Sequence, residues 1–188
     1  MKNKIRQIIE ESRGVKDRLL TDDSIGIIEK ITGAIVNSLN AGGKVIIFGN
    51  GGSAADSQHM AAELVGRFKK ERKPLPAISL TTNTSTITAL SNDYSYGVSF
   101  KRQLLALGKK GDIAVGISTS GNAENVIEAL KAAKEEGLAS IALTGKGGGS
   151  AKDIADMALI VNSDNTPRIQ EAHILIIHIL CELVEDRF

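Results

Sequence analysis

The sequence predicts an α/β protein built on a parallel sheet and led by two helices, and three observations carry that reading. Five short apolar runs of strand length recur after residue 44, stretches with helical start signals separate them, and several runs end in loops of Gly, Ser, Thr and Asn. A helix between successive strands is what a crossover between parallel neighbours requires.

Each element has its own local justification. Ile5, Ile8 and Ile9 in one segment, and Ile27, Ile28, Ile31, Ile35 and Leu39 in the next, stand at helical spacing. Thr21, Asp22, Asp23 and Ser24 lie between them, and such side chains accept hydrogen bonds from the free amides that begin a helix. After Ala41-Gly42-Gly43 the pattern shortens to apolar runs at 45–48, 77–80, 113–117, 140–143 and 158–161, each suited to a strand buried on both faces. Helices are predicted over 53–68, 84–92, 96–107, 122–136 and 167–186. Lys146-Gly147-Gly148-Gly149 reads as the most flexible connection, a surface turn.

The last helix is apolar on nearly every side, with Ile174, Leu175, Ile176, Ile177, Ile179, Leu180, Leu183 and Val184. A helix on the outside of one sheet needs only one apolar stripe, so a second surface is expected to cover it. A homo-oligomer is the expectation; the alternative is that the two N-terminal helices cover it within one chain.

Length and composition bound the function. The chain has 188 residues, enough for one well-buried core and short for two, so 1–188 is read as one domain, with 1–40 available for oligomer packing and 41–188 as the α/β core. Hydrophobic residues at 42% and charged ones at 24% are ordinary globular values. Lys plus Arg at 23 against Asp plus Glu at 22 leave a net charge of +1, which offers no electrostatic footprint for nucleic acid or an acidic membrane; neither is expected as a partner. The single cysteine, Cys181, cannot form an internal disulfide, and the N-terminus has no uninterrupted apolar run for a signal peptide or a membrane span. A cytoplasmic protein is expected.

The chemistry is sought at the carboxyl ends of the strands, where open α/β sheets bind ligands. Gly49-x-Gly51-x-x-Ala54 matches the dinucleotide fingerprint, but the acidic residue wanted at the end of the next strand is replaced by Ser79-Leu80-Thr81, and glycines also serve a plain tight turn. Ser118-Thr119-Ser120-Gly121-Asn122 adds three hydroxyls and several amides just before a helix, which suits a phosphate monoester better than an extended cofactor. The bland alternative is an N-cap cluster. Two such loops in one sheet favour a ligand of sugar-phosphate size. His59 and Glu63, four apart on one helix face, can share a metal or a proton. Gln170 and His178 are eight apart, about 12 Å along a helix axis, which is awkward for one metal unless neighbouring subunits contribute. His173 and Cys181 read as packing residues.

FGNGGSAADSQHMAAEL, the Asn92-Asp93 pair, GISTSGN, LTGKGGG and RIQEAHILIIHIL, in this order, resemble the sedoheptulose 7-phosphate isomerases over nearly the whole chain. The resemblance implies the sugar isomerase (SIS) fold, a three-layer αβα sandwich of flavodoxin-like type with a five-stranded parallel sheet and two extra N-terminal helices. It implies a homotetramer with sites between subunits. The reaction it implies is the interconversion of the ketose phosphate and D-glycero-D-manno-heptose 7-phosphate through an enediol, the first step toward nucleotide-activated heptose and a lipopolysaccharide precursor. Carried over residue by residue, it makes Glu63 and His178 the proton-transfer residues, and His59, Glu63, Gln170 and His178 the ligands of one zinc per subunit. Asn50, Gly51, Gly52 and Ser53, with Ser118, Thr119 and Ser120, hold the substrate and its phosphate, with Glu63 and Gln170 also touching substrate; Asn92 and Asp93 contact sugar hydroxyls. Two departures stand out: Ala123 occupies a position where many relatives carry serine, and Thr166-Pro167 precedes Arg168 where some carry an acidic residue.

The residue types suit the chemistry. Aldose–ketose isomerisation moves a proton between adjacent carbons, which needs a carboxylate at the shared face of C1 and C2 and an acid near the oxygens. Two other readings compete: a binding protein of the same fold, of the kind that associates with the bacterial replication initiator, and an isomerase of another sugar phosphate. Paralogues of the binding kind lack the glutamate and the final histidine, and both are present here.

Overall fold

The computed structural model describes residues 1–188. Two helices lead, α1 (Lys2–Asp17) and α2 (Asp22–Asn40), and α2 begins where the polar cluster predicts: the Ser24 amide donates to Thr21 Oγ1 at 3.2 Å, with Asp22 and Asp23 in the first turn. The strands are β1 (Val45–Gly49), β2 (Ala77–Ser79), β3 (Ile113–Ser118), β4 (Ala139–Gly145) and β5 (Met157–Val161). They form one parallel sheet in the order β2-β1-β3-β4-β5, with Val45 level with Ile113 and Ile113 level with Ala139. That is the flavodoxin-like order, whose strand-order reversal falls between β1 and β3. The remaining helices are α3 (Gly52–Val65), α4 (Thr84–Asp93), α5 (Ser99–Leu107), α6 (Glu124–Glu135), α7 (Ala151–Ile154) and α8 (Thr166–Glu185).

Alternation along β1 sends successive side chains to opposite faces and so defines two cores. Val45 and Ile47 join Ile31 and Ile35 of α2, Met60 and Leu64 of α3, and Ile176, Ile177 and Leu180 of α8. Ile46 and Phe48 join Phe100 and Leu104 of α5 with Val126, Ala129 and Leu130 of α6. Each fully buried Ile, Leu or Phe contributes about 1.5–3 kcal/mol. The three-layer sandwich predicted from the resemblance is the observed one. No helix is long and apolar enough to cross a membrane.

The structure corrects several boundaries. α3 ends at Val65 rather than 68, because Gly66 follows and the Arg72 guanidinium takes the last carbonyls: Nη2 donates to Glu63 O and Nη1 to Leu64 O, both at 2.9 Å. The segment predicted as one helix from Tyr96 is a 3₁₀ turn at Tyr96–Val98 followed by α5. α6 starts at Glu124, since Ser120 and Asn122 spend their polar groups on the loop before it. The short helix α7 was not predicted. Lys146-Gly147-Gly148-Gly149 is not a free surface turn: Gly148 is buried against Gly121, and the Ala151 amide donates to Gly121 O at 2.9 Å.

The apolar excess of α8 has a mixed explanation. α2 and the end of α1 cover one flank, and they leave a groove of about 990 Å³ lined by Leu19, Leu20, Ile25, Leu175, Ile179 and Leu183 among others. Ile5 and Ile9 of α1 are 51% and 62% exposed.

Candidate active site

The β1–α3 turn is built for close backbone approach. A Cβ on Gly49 would stand 2.8 Å from the carbonyl oxygens of both Ile117 and Ser53, so only glycine lets the end of β1 lie this close to β3 and α3. Gly51 has φ +58°, a region that side chains rarely enter. Gly51 and Gly52 are exposed, whereas Ser53 is buried in the first turn of α3. Gln170, in the first turns of α8, lays its side-chain amide on Gly52, where any Cβ would collide with it.

The second loop follows β3. Ser118 is buried at the strand end, and Thr119 and Ser120 are half-buried. Gly121 has φ +67° and lies directly on the Gly148 carbonyl, while the Ser150 amide donates to Asn122 Oδ1 at 3.0 Å. The glycine-rich turn after β4 thus braces the hydroxyl loop.

Asn50 is held by two residues that sequence reasoning missed. Tyr96 Oη donates to Asn50 Oδ1 at 2.7 Å, Asn125 Nδ2 donates to the same oxygen at 2.9 Å, and Asn50 Nδ2 donates to Asn125 Oδ1 at 2.8 Å. Asn125 is 2% exposed, so this paired amide ties the β1 turn to the start of α6. No local pattern announces such a pair; Tyr96, an aromatic just after Asn92-Asp93, was the one available signal.

Further along α3 and α8 a cluster of ionisable side chains comes together. His59 Nε2 lies 3.0 Å from His178 Nε2 and 3.4 Å from Glu63 Oε1, with the His59 and His178 ring centroids 5.1 Å apart. The Phe68 ring flanks His178 at 5.5 Å. Neighbouring groups differ in character. Burial pushes the Asp56 carboxyl up to about 6, against the opposing pull of His59, and its Oδ2 is buried without a partner. Burial pushes the Cys181 thiol up to about 12 and the His173 imidazole down to about 4; both are packing residues, as expected.

The structure therefore divides the predicted residues into two groups on one molecule. Asn50, Gly51, Gly52, Ser53, Ser118, Thr119, Ser120 and Gln170 gather at the carboxyl edge of the sheet. His59, Glu63 and His178 form the second group, His59 being about 10 Å along α3 from Gly52. Asn92 and Asp93 are exposed at the end of α4, joined to each other by an Asn92 Nδ2 to Asp93 Oδ1 hydrogen bond at 2.9 Å and by no side-chain bond to either group.

Two imidazole nitrogens and a carboxylate oxygen are the donors zinc takes, and their separations approach the roughly 3.3 Å that tetrahedral geometry sets between ligand atoms. They do not close on a common point, since no group of three or more His, Cys, Asp or Glu is arranged to hold an ion, and Gln170 lies with the loops. The three are of the residue types that zinc takes, but their placement within this one chain does not make a closed site for it.

A parallel sheet with two loops of amides and hydroxyls at its carboxyl edge, and a carboxylate with two imidazoles further along α3 and α8, has the kinds of groups that an isomerase of a phosphorylated sugar needs. Comparison with known proteins agrees. The SIS domain model matches residues 9–145. The phosphoheptose isomerase of Aquifex aeolicus is 54% identical over 186 residues, 99% of this chain and 97% of that protein. The structures of phosphoheptose isomerases from Neisseria gonorrhoeae and Francisella tularensis superpose with TM-scores of 0.91 and 0.94, at 41% and 39% identity; each covers 98% of this chain, which spans 98% and 97% of theirs. The chain belongs to the SIS domain family and, within it, to the phosphoheptose isomerases. It is an isomerase.

Proposed function

We propose that the protein interconverts sedoheptulose 7-phosphate and D-glycero-D-manno-heptose 7-phosphate at sites completed between the subunits of a homotetramer. The observation that carries this reading is the meeting of Glu63 and His178 around His59, because these are the two side chains the reaction needs and a binding protein of the same fold does not. The Glu63 carboxylate takes a proton from C1 of the ketose, giving an enediol, and returns it to C2 of the aldose. His178 moves the accompanying proton between the C2 and C1 oxygens, so no external oxidant or reductant is required. The loops at 50–53 and 118–120 hold the phosphate through amides and hydroxyls. Asn92 and Asp93 meet sugar hydroxyls.

Two observations support shared sites. The phosphate-holding loops and the proton-transfer group stand apart along α3, and the groove beside α8 together with the bare row Ile5, Ile8 and Ile9 offers apolar surface to a second copy. His59, Glu63, Gln170 and His178 are the residues that would hold one zinc per subunit, with a neighbouring subunit supplying what one chain leaves open. When bound, zinc polarises the carbonyl oxygen and steadies the enediolate. A phosphorylated sugar substrate is consistent with a cytoplasmic enzyme that binds neither nucleic acid nor membrane. Its product is the entry point to nucleotide-activated heptose.

The test is incubation of the purified protein with sedoheptulose 7-phosphate, with and without zinc and chelator, following the aldose phosphate by NMR. Formation of the manno-configured heptose 7-phosphate is expected. A folded tetramer with no turnover under any metal condition overturns the reading in favour of a binding protein or another sugar phosphate. A monomer by light scattering at micromolar concentration contradicts a shared site.

A further inference from the structure

Glu185, near the C-terminus of α8, is 2% exposed, yet it carries no part of the chemistry. Its carboxylate accepts three consecutive backbone amides, Phe68 N to Oε2 at 2.8 Å and Lys69 N and Lys70 N to Oε1, both at 2.7 Å. Burial by itself would push this carboxyl up; the three amides and the Arg72 charge outweigh it and hold it below the ordinary glutamate value. Arg72, also nearly fully buried, places Nε 3.3 Å from Glu185 Oε2, an ion pair by distance although Nε lacks hydrogen-bond alignment. Its two Nη atoms donate to the carbonyls of Glu63, Leu64, Gly66 and Lys73 at 2.9–3.2 Å. One ion pair therefore joins the end of α3, which carries Glu63, to the end of α8, which carries His178, and sets the turn between them.

That turn presents a single aromatic residue. Phe68 follows the end of α3 and lies against the His178 imidazole, ring centroids 5.5 Å apart at 42°. Lys69 Nζ sits 5.6 Å from the centroid of the same Phe68 ring. A buried ion pair is a weak source of stability but leaves a large penalty if one partner is removed, so this geometry is maintained as a unit.

We infer that Phe68, held by the Glu185–Arg72 clamp, is a positioning residue that fixes the orientation of the His178 imidazole toward His59, the neighbour of Glu63. The inference rests on the proposed proton-transfer role of His178. The Phe68 ring packs on His178 and acts through that ring, so its loss lowers the rate of proton transfer without weakening substrate binding.

The test uses the full chain, whose three histidines make the ring resonances assignable. Phe68→Leu keeps an apolar side chain at a half-buried site and removes the ring. The expected result is a fall in kcat of about ten- to a hundredfold, as for a displaced catalytic group, with KM within about twofold of wild type and displaced His178 ring-proton resonances in the metal-free protein. Phe68→Tyr restores both, and Glu185→Gln, where it folds, lowers kcat in the same direction. Phe68→Leu with unchanged kcat, with the whole loss in KM, or with unmoved His178 resonances overturns the inference. Should the wild type fail to isomerise sedoheptulose 7-phosphate, the proposed function fails, while the His178 resonances still decide whether Phe68 orients the ring.

Discussion

His59 and His178 meet Nε2 to Nε2 at 3.0 Å although 119 residues separate them. At this distance one ring nitrogen donates and the other accepts, and Glu63 Oε1 lies 3.4 Å from the same His59 nitrogen, so the three side chains form one polar cluster across α3 and α8.

Glu63→Gln keeps the size of the side chain and removes the base. Glu63 is partly exposed and stands outside both hydrophobic cores, so fold and assembly are expected to survive. Turnover should fall by about a hundred- to ten-thousandfold, the range for loss of a general base. The checks are aldose formation by NMR and circular dichroism; near-wild-type turnover removes Glu63 from the assignment.

Asn125 and Tyr96 separate stability from binding. Asn125→Ala leaves the Asn50 amide without its buried partner, and it should cost about 1–3 kcal/mol and raise KM. Tyr96→Phe removes one bond at an exposed ring, costing under about 1 kcal/mol, while loosening the same loop. Denaturant unfolding read beside KM tests the pair: a KM unchanged in both variants shows that the Asn50 turn does not depend on the latch.

Ala123 is the N-cap residue of α6, with extended backbone at φ −67° and ψ 117° and no side chain to cap the first turn. Ala123→Ser supplies that hydroxyl beside the 118–120 loop proposed to hold the phosphate. It is expected to stabilise the fold by about 1 kcal/mol and to lower KM for the sugar phosphate. Thermal melts and initial rates are the measurements, and a higher KM runs against the predicted placement of the phosphate.

His173 ties stability to pH. It is fully buried, its Nε2–H donates to Thr144 O at 3.1 Å, and Nδ1 has no partner. Burial lowers its pKa to about 4, so the folded chain refuses a proton that the unfolded chain accepts at the ordinary value near 6.5. The stabilisation is therefore complete above pH 6.5 and is lost as pH falls toward 4, by about 3 kcal/mol. His173→Leu should remove that part of the pH dependence in urea unfolding across this window; an unaltered slope contradicts it.

Much of the fold was legible in the sequence because its signals are local. Five apolar runs, helix-start residues such as Thr21 and Asp22, and small-residue loops after β1 and β3 each act through the backbone conformation and burial of a few neighbouring residues. The family resemblance added the residue types, and all but Asn92 and Asp93, exposed at the end of α4, lie where the fold sets its ligand edge or along α3 and α8. What failed was also local in origin: 53–68 reads as one helix, but it stops at Val65 because Arg72, beyond the helix, takes its final carbonyls.

The sequence by itself determined the order of elements, the parallel sheet and the kind of chemistry its side chains can perform. Only the tertiary structure decided which of them meet: His59 with His178, Asn50 with Asn125, Gln170 with Gly52, and Glu185 with the amides of Phe68, Lys69 and Lys70. Periodicity and turn chemistry are properties of neighbouring residues, whereas the approach of α3 to α8 is set by many weak packing contacts spread over two helices and a sheet, and no single stretch of chain carries their sum.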